Sequence, residues 1–465
     1  MVEETHNFWR VIPVTDSFIL GAPIKVTDSE VFKTQYKKPY KKIRINNRLR
    51  SQIRLLLAKR GLVNSDPSIR IEAVNTLIKK PDTTLYAVIQ ERLANEKNAD
   101  ILEKLRLLNA MLALNHPTSK RFESSIEHLS KSLEPSSLTS LNQFLEKHPS
   151  HKQALAAVKA IEEKKHLYSL LENGFFGLSM GSVLVLAAIG LAITFGVMGV
   201  INMAHGELIM IGAYTTFVIQ QLMPQFIGIS IIVAIPAAFV VAALVGITME
   251  RLVIQYLKGR PLETLLATFG ISLLLQQTVR SIFSPLNRTV VTPDWLSGVF
   301  TINPVFGLTI NRLAIIFFCL VLFGLLWWWM RRSRLGLQVR AVSQNRSMAE
   351  ALGVNADRVD MLTFGLGAGI AGVAGVALSL ISNVGPNMGQ GYIIDSFIVV
   401  VFGGVGNLFG TLLAGLSLGV ANKWLEPFAG AVLAKILLLI FIILFIQKRP
   451  QGLFPAKGRA QEMAQ

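Results

Sequence analysis

Between residues 177 and 447 this chain is a succession of apolar runs of membrane-spanning length, separated by short polar breaks. Residues 177–196, 226–249 and 313–330 contain no charged side chain. About 20 apolar residues rising ~1.5 Å each match a hydrocarbon layer ~30 Å thick, and a core helix of a water-soluble domain needs no such run. The second part of the chain therefore reads as a polytopic α-helical membrane domain. Spans are expected near residues 174–198, 207–222, 226–249, 262–283, 306–330, 361–382, 392–403, 407–423 and 431–446. That is about eight or nine, and two are too short to be complete straight helices.

The basic residues of this half gather in loops. Arg251, Lys258 and Arg260 follow one span, Arg331, Arg332, Arg334, Arg340 and Arg346 another, and Lys448, Arg449, Lys457 and Arg459 the last. Loops rich in Lys and Arg stay in the cytoplasm, so the net charge of +17 and the pI near 10.0 express membrane topology rather than a nucleic-acid partner. Trp327, Trp328 and Trp329, just before Arg331, form an interfacial anchor. Nine crossings that end inside place residues 1–170 outside, in the periplasm. Residues 1–20 show no apolar core after a basic start, so no leader peptide is expected there. The single cysteine, Cys319, lies within a span, which excludes a disulfide or cysteine-metal framework.

The first part of the chain reads differently. Residues 1–45 are irregular, with Pro13, Pro23, Pro39 and a basic run from Lys33 to Arg44. Residues 46–170 form a soluble helical domain. Leu49, Ile53, Leu56 and Leu57 share one helix face over residues 48–60, Gly61 can close that helix, and Ser65-Asp66-Pro67 offers a cap for a helix over 69–78. Pro81-Asp82 starts another, and residues 100–114 are again periodic. This pattern fits a HEAT-like helical repeat or an ordinary helical bundle. The histidines here have no ligand spacing, and no metal site is expected anywhere in the chain. Residues 171–455 are the membrane domain and 456–465 a cytoplasmic tail.

Asn202, His205 and Glu207, flanked by Gly199 and Gly206, interrupt the apolar text most sharply. Polar groups are expensive in lipid and usually face a bundle interior or an aqueous path. An interfacial turn, with Glu207 capping the next helix, is the plainer alternative. Gly403, Gly404 and Gly406 split residues 392–423 into half-length pieces, and unwound backbone at membrane depth is tolerated only where it is buried in protein or lines a cavity. No GxxxxGK[ST] occurs, so the chain carries no P-loop ATPase site. Ser179 and Ser417 satisfy GxSxG, but that motif needs a strand–turn–helix elbow. No catalytic residue is assigned. The loop over residues 334–358 contains a short helix over 347–352, with Ser347 as its cap, Glu350 at the capping-box position and Gly353 as its stop. Such a helix suits docking into a partner's groove.

Four blocks taken together resemble the permeases of branched-chain amino acid ABC importers: "GLSMGSVLVLAAIGLAITFGVMGVINMAHGELIMIGAY", "RLGLQVRAVSQNRSMAEALGVNADRV", "GGVGNLFGTLLAGLSLG" and "KRPQGLF", over about residues 174–454. The helical N-terminal extension is similar to that of the urea-importer permease subunit, and with "NMAHGEL" it favours urea over a branched-chain amino acid or an amide. The resemblance implies a multi-pass protein of the bacterial inner membrane that conducts solute and performs no covalent chemistry. It implies a second permease subunit, two cytoplasmic ATPase subunits that bind the ATP, and a periplasmic substrate-binding protein, with no cofactor of its own. It further implies that Gly336, Arg340, Ala349, Glu350, Ala351 and Gly353 belong to the segment coupling it to the ATPase. Asn202, His205, Gly206 and Glu207, with the Gly403, Gly404 and Gly406 break, are expected beside the translocation path. An ion-coupled transporter or channel is the reading from another class. It would use Glu207, Glu263 or Asp395 as coupling acids.

Overall fold

The computed structural model describes residues 2–5, 8–11, 53, 56–115 and 122–455, so the run from Lys33 to Arg44, Arg48, Leu49 and the tail over 456–465 lie outside the described residues. The chain divides into two units, residues 1–162 and 163–465.

In the first unit β1 (Val2–Thr5) pairs antiparallel with β2 (Phe8–Val11) inside the segment expected to be irregular, with Val2 opposite Val11. Residues 56–61 are helical. Helices α1 (Pro67–Lys79), α2 (Tyr86–Asn95), α3 (Ala99–Asn115), α4 (Phe122–Lys131) and α5 (Pro135–Lys147) follow. The expected cap on α1 is present: Asp66 accepts from the Ser68 amide at 2.8 Å, and Pro67 opens the first turn, where a missing N–H costs nothing. One apolar core joins these helices through Val74, Leu77, Ile89, Leu105, Leu108, Leu129 and Leu141. At its edge the Arg70 guanidinium meets both Glu96 carboxylate oxygens at 2.9 Å, and Arg92 adds a third bond at 3.1 Å. Burial opposes the Glu96 charge, but the bonds from Arg70 and the Asn98 amide outweigh it and hold its pKa at about 2.

Helix α6 (Lys152–Met198) gives Ala154, Ala157 and Ile161 to that core and its residues 183–193 to the second unit. The second unit continues with α7 (His205–Leu222), α8 (Ile227–Leu252), α9 (Pro261–Phe283), a small hairpin of β3 (Val299–Thr301) and β4 (Gly307–Thr309), α10 (Ile310–Arg332), α11 (Arg334–Gln344), α12 (Arg346–Ala351), α13 (Ala356–Ser379), α14 (Met388–Gly403) and α15 (Leu408–Lys448). Among the described residues six helices are long and apolar enough to cross a membrane: α6, α8, α9, α10, α13 and α15. The expected span 306–330 starts later because residues 307–309 are a strand. Those at 407–423 and 431–446 join in α15, which breaks at Gly430 (φ 77°) just after Pro427. A straight helix of 41 residues would hold its ends ~60 Å apart. Instead, Asn407 beside its start bonds Phe454 beyond its end, so the chain folds back at Gly430.

The turn after α8, helices α11 and α12, the start of α13 and the end of α6 meet at one end. Val197 packs with Val339, Val342, Ala349 and Val359, and Lys258 bonds Asp357 at 3.0 Å. This is the basic end. The opposite end is tied by Gln220 to Val291 (2.8 and 2.9 Å), Trp295 to the Gly228 carbonyl (3.0 Å) and Tyr168 stacked on Phe306. Helix α13 is the core of the bundle, buried over most of its length against α8 and α7, whereas α10 and α15 leave most of their apolar surface outward.

Candidate functional site

Between Met198 and His205 the chain leaves the basic end as non-helical backbone and climbs into the bundle. The Met203 amide donates to Thr268 Oγ1 at 3.1 Å, and Asn202 Oδ1 accepts from the Ala204 amide at 3.0 Å. Helix α7 therefore starts at depth. His205 Nε2 donates to the Ala187 carbonyl at 2.9 Å, a point ~16 Å along α6 from its end at Met198. Glu207 Oε1 accepts from Ser272 Oγ at 3.0 Å and Gln276 Nε2 at 2.7 Å, which lie ~16–22 Å along α9 from the basic end. These heights fall near the middle of a ~30 Å core.

Asn202, His205 and Glu207 are each at most 1% exposed. Each also keeps one polar atom without a hydrogen-bond partner among the described residues: Asn202 Nδ2, His205 Nδ1 and Glu207 Oε2. The interfacial-turn reading fails on this burial. The capping reading fails too, because the Glu207 carboxylate reaches across to α9 instead of turning back to the first amides of α7. A buried polar atom left unpaired costs on the order of 1–3 kcal/mol, so three in one short segment mark a place where stability has been set against something else.

Gly206 brings a second discontinuous helix to this point. A Cβ there would lie 2.3 Å from the Gly389 carbonyl oxygen, and one on Gly389 would lie 2.3 Å from the Gly206 carbonyl oxygen. Only two glycines let these backbones touch. Gly389 is in the first turn of α14, whose preceding Asn387 accepts from Arg280 of α9. Two helix N-termini thus meet inside the bundle beside a buried carboxylate, and each turns its positive dipole end inward.

The second glycine break lies elsewhere. Gly404 and Gly406 have φ of 105° and 77°, and the break sits at the basic end with the chain's own residues 452–454 laid along it. The Leu453 amide donates to the Phe402 carbonyl (2.9 Å), the Phe454 amide to the Gly403 carbonyl (3.2 Å) and Asn407 Nδ2 to the Phe454 carbonyl (3.3 Å). A Cβ on Gly404 would lie 2.4 Å from the Phe454 oxygen. The geometry does not bring Gly403, Gly404 and Gly406 together with Asn202, His205 and Glu207; it makes them the seat of the segment after α15.

At the basic end, α11 is capped by Ser333, and Gly336 fits where a Cβ would meet the Met330 oxygen at 1.9 Å; Arg340 donates to that same carbonyl. Helix α12 is capped by Asn345, which accepts from the Met348 amide at 3.0 Å, and not by Ser347; Asn precedes the helix by one residue and serves the same purpose. Glu350 is half exposed and pairs with Arg346 (3.2 Å) instead of closing a capping box. Ala349 is buried, Ala351 is exposed, and Gly353 ends the helix at φ 88° as expected. Leu337, Met348 and Leu352 present apolar side chains outward.

Five charged residues that the sequence reading left out of the site gather in and beneath this loop. Lys258 sits 2.9 Å from Asp360, 3.0 Å from Asp357 and 3.5 Å from Glu250, while Arg346 lies 2.8 Å from Asp360 and 3.3 Å from Asp357. Asp360 and Glu250 are buried. Burial works against charge at Lys258 and Arg346, but bonds to Asp360 and its neighbours outweigh it, and both basic groups hold their protons more tightly than usual. The acids open to an ion-coupled mechanism are mostly neutralised: Asp395 pairs with Lys435 (3.0 Å) and Glu263 with Arg260 (3.2 Å). Ser179 and Ser417 lie inside α6 and α15, not on a strand–turn–helix elbow.

A family model described as branched-chain amino acid transport system / permease component matches residues 173–446. The high-affinity branched-chain amino acid transport system permease protein BraD of Pseudomonas aeruginosa is 33% identical over 299 residues, 62% of this chain and 96% of that protein. LivH of Salmonella typhimurium, of the same description, is 31% identical over 61% of this chain and 94% of its own length. The ribose import permease protein RbsC of Escherichia coli is 26% identical over 55% of this chain and 78% of its own. No solved structure matches. The first unit lies outside the matched segment.

Proposed function

Because this chain belongs to the family of branched-chain amino acid transport permease components, we propose that it is the solute-conducting subunit of an ATP-driven importer in a bacterial inner membrane. It works beside a second permease subunit, two cytoplasmic ATPase subunits that hold the ATP, and a periplasmic binding protein that delivers solute. The observation that carries this reading is the meeting of α7 and α14 at mid-depth, with Asn202, His205 and Glu207 buried and incompletely paired. Discontinuous helices whose N-termini converge inside a bundle are the usual frame of a transport site. Unpaired buried atoms there are ready to take up bonds to a solute that has shed its water.

The basic end is the side that meets the ATPases. Leu337, Met348 and Leu352 offer the apolar contact, and Gly336, Arg340, Ala349, Glu350, Ala351 and Gly353 shape the α11–α12 segment that carries them. The chain enters the second unit near Tyr168, which stacks on Phe306 at the opposite end. This supports a periplasmic place for the N-terminal unit.

A branched-chain amino acid is the leading substrate, since BraD and LivH bear that description. Urea is the second reading. A buried, unpaired donor at Asn202 Nδ2 and an acceptor at Glu207 Oε2 suit a neutral molecule with one carbonyl and two amino groups. Uptake into proteoliposomes holding the whole complex decides between them. ATP-dependent accumulation of radiolabelled leucine that excess urea leaves unchanged supports the first reading, and the converse pattern the second. Uptake of either driven by an ion gradient without ATP would overturn the importer reading.

A further inference from the structure

We propose that Arg346 and Asp360, with Lys258 and Glu250, form the charge linkage through which movement of α12 is passed into the membrane helices α13 and α8. The proposal rests on the reading that α11 and α12 meet the ATPases. It goes further by naming the residues that transmit the stroke.

Helix α12 has only six residues, too few to hold itself in place, and it meets the bundle through Ala349 and Arg346. Ala349 contributes a small apolar contact with Val339, Val342 and Val359, which a shift along the surface would not break. Arg346 is different. Its Nη1 meets Asp360 Oδ2 at 2.8 Å, and that same oxygen lies 2.9 Å from Lys258 Nζ. Lys258 then reaches Glu250 near the end of α8 at 3.5 Å. One carboxylate oxygen therefore ties α12, α13 and the turn after α8 together.

The two central acids are almost fully enclosed, Asp360 at 0% and Glu250 at 1% exposed. Among the described residues, Asp360 Oδ1 and both Glu250 oxygens have no hydrogen-bond partner. Asp360 is enclosed, so a displaced Arg346 must draw Asp360 after it or leave that carboxylate with Lys258 as its one remaining cation. An apolar contact slides; this one transmits force. Beyond Asp360 the path is stiff. Helix α13 packs along α8, and it approaches α7 so closely that a Cβ on Gly375 would lie 2.0 Å from the Ile209 oxygen. Ile209 is one turn from His205. Motion imposed at Arg346 thus reaches the inner end of α7, where the polar atoms of the candidate site are unpaired.

Glu350 is not part of this linkage. It is half exposed on the far side of Arg346, and an exposed pair of this kind adds little.

The test measures ATP hydrolysed per solute molecule taken up, in proteoliposomes carrying the complete complex. Arg346→Gln is expected to leave hydrolysis within about twofold of the parent and to lower uptake roughly tenfold, within the usual span of coupling effects. Arg346→Lys should recover part of the uptake. Asp360→Asn added to Arg346→Gln should cost little more than Asp360→Asn alone, because Asp360→Asn already removes the pair that Arg346→Gln breaks. The linkage is overturned if uptake and hydrolysis fall together in Arg346→Gln at equal amounts of assembled complex, or if neither changes. Leu352→Cys distinguishes failure of the linkage from failure of the docking. If it crosslinks to an ATPase subunit in the parent complex while Arg346→Gln couples normally, the linkage alone is wrong. If it does not crosslink, the docking reading falls and the linkage with it.

Discussion

The two glycine breaks of the membrane unit look alike in sequence and end in opposite conditions. At Gly206 and Gly389 two helix starts touch, and the polar side chains around them keep Asn202 Nδ2, His205 Nδ1 and Glu207 Oε2 unpaired. At Gly403 to Gly410 the backbone is equally irregular, yet its carbonyls receive the Leu453 and Phe454 amides. An interruption in a membrane helix is therefore not itself a sign of function. What separates the two is whether the groups it frees are satisfied by the protein. Where they are, the break is a joint; where they are not, the protein has kept bonding capacity for something else.

The largest effect should come from forcing a side chain into the joint. Gly404→Leu must adopt φ near 105° and displace Phe454, a cost on the order of 3 kcal/mol or more. The expected outcome is loss of correctly assembled protein in size-exclusion chromatography of detergent extracts. A well-assembled Gly404→Leu complex that fails only in uptake would move this break to the transport site and erase the distinction. At the other break the effect should be functional. Glu207→Gln and Asn202→Ala should assemble normally while uptake per complex falls roughly tenfold or selectivity shifts, the size expected for losing a bond to a charged or buried group. Unchanged rates and selectivity in both variants would reduce the site to structure.

A smaller effect sharpens the contrast from the first unit, where Glu96 is a buried acid with all its partners present. Its pKa is depressed to about 2 in the folded state, so its contribution is fully present above the ordinary carboxylate pKa of ~4.5 and is lost as pH falls from there towards 2. Hydrogen exchange over residues 67–96 of the full chain should be steady between pH 5 and 7, after correction for intrinsic rates. Protection should then decline below about pH 4.5. Protection that persists to pH 2, or declines already above pH 5, would show that Glu96 is not held as its three bonds imply.

Most of the helical framework was legible, because hydropathy reports directly which segments lipid will accept. Its edges were not. The expected span 226–249 stops one residue short of Glu250, and that at 361–382 begins one residue after Asp360. The span edges stop at these acids, yet α8 and α13 run on through them, and the Lys258 that pairs with Asp360 also bonds Asp357 of the same helix, 99 positions away. Pairing over that distance leaves no local trace. The same limit hid Ser272 and Gln276, which read as ordinary polar residues of α9 until Glu207, 65 and 69 positions away, is brought against them. Asn202, His205 and Glu207 could be picked out because three polar groups inside apolar text are visible without any partner. The role of Gly404 was not visible, because what occupies the break is encoded far downstream.

That downstream position has a consequence for how the protein is made. Phe454 follows Asn407 by 47 positions, so the joint between α14 and α15 stays incomplete while the whole of α15 is being synthesised and inserted. During that interval the Phe402 and Gly403 carbonyls have no donor from residues 453 and 454. The membrane unit therefore cannot reach its final arrangement helix by helix as it leaves the ribosome. Its basic end closes only after the α15 hairpin is in place, and any quality-control factor that senses exposed backbone at that end has a defined window in which to act.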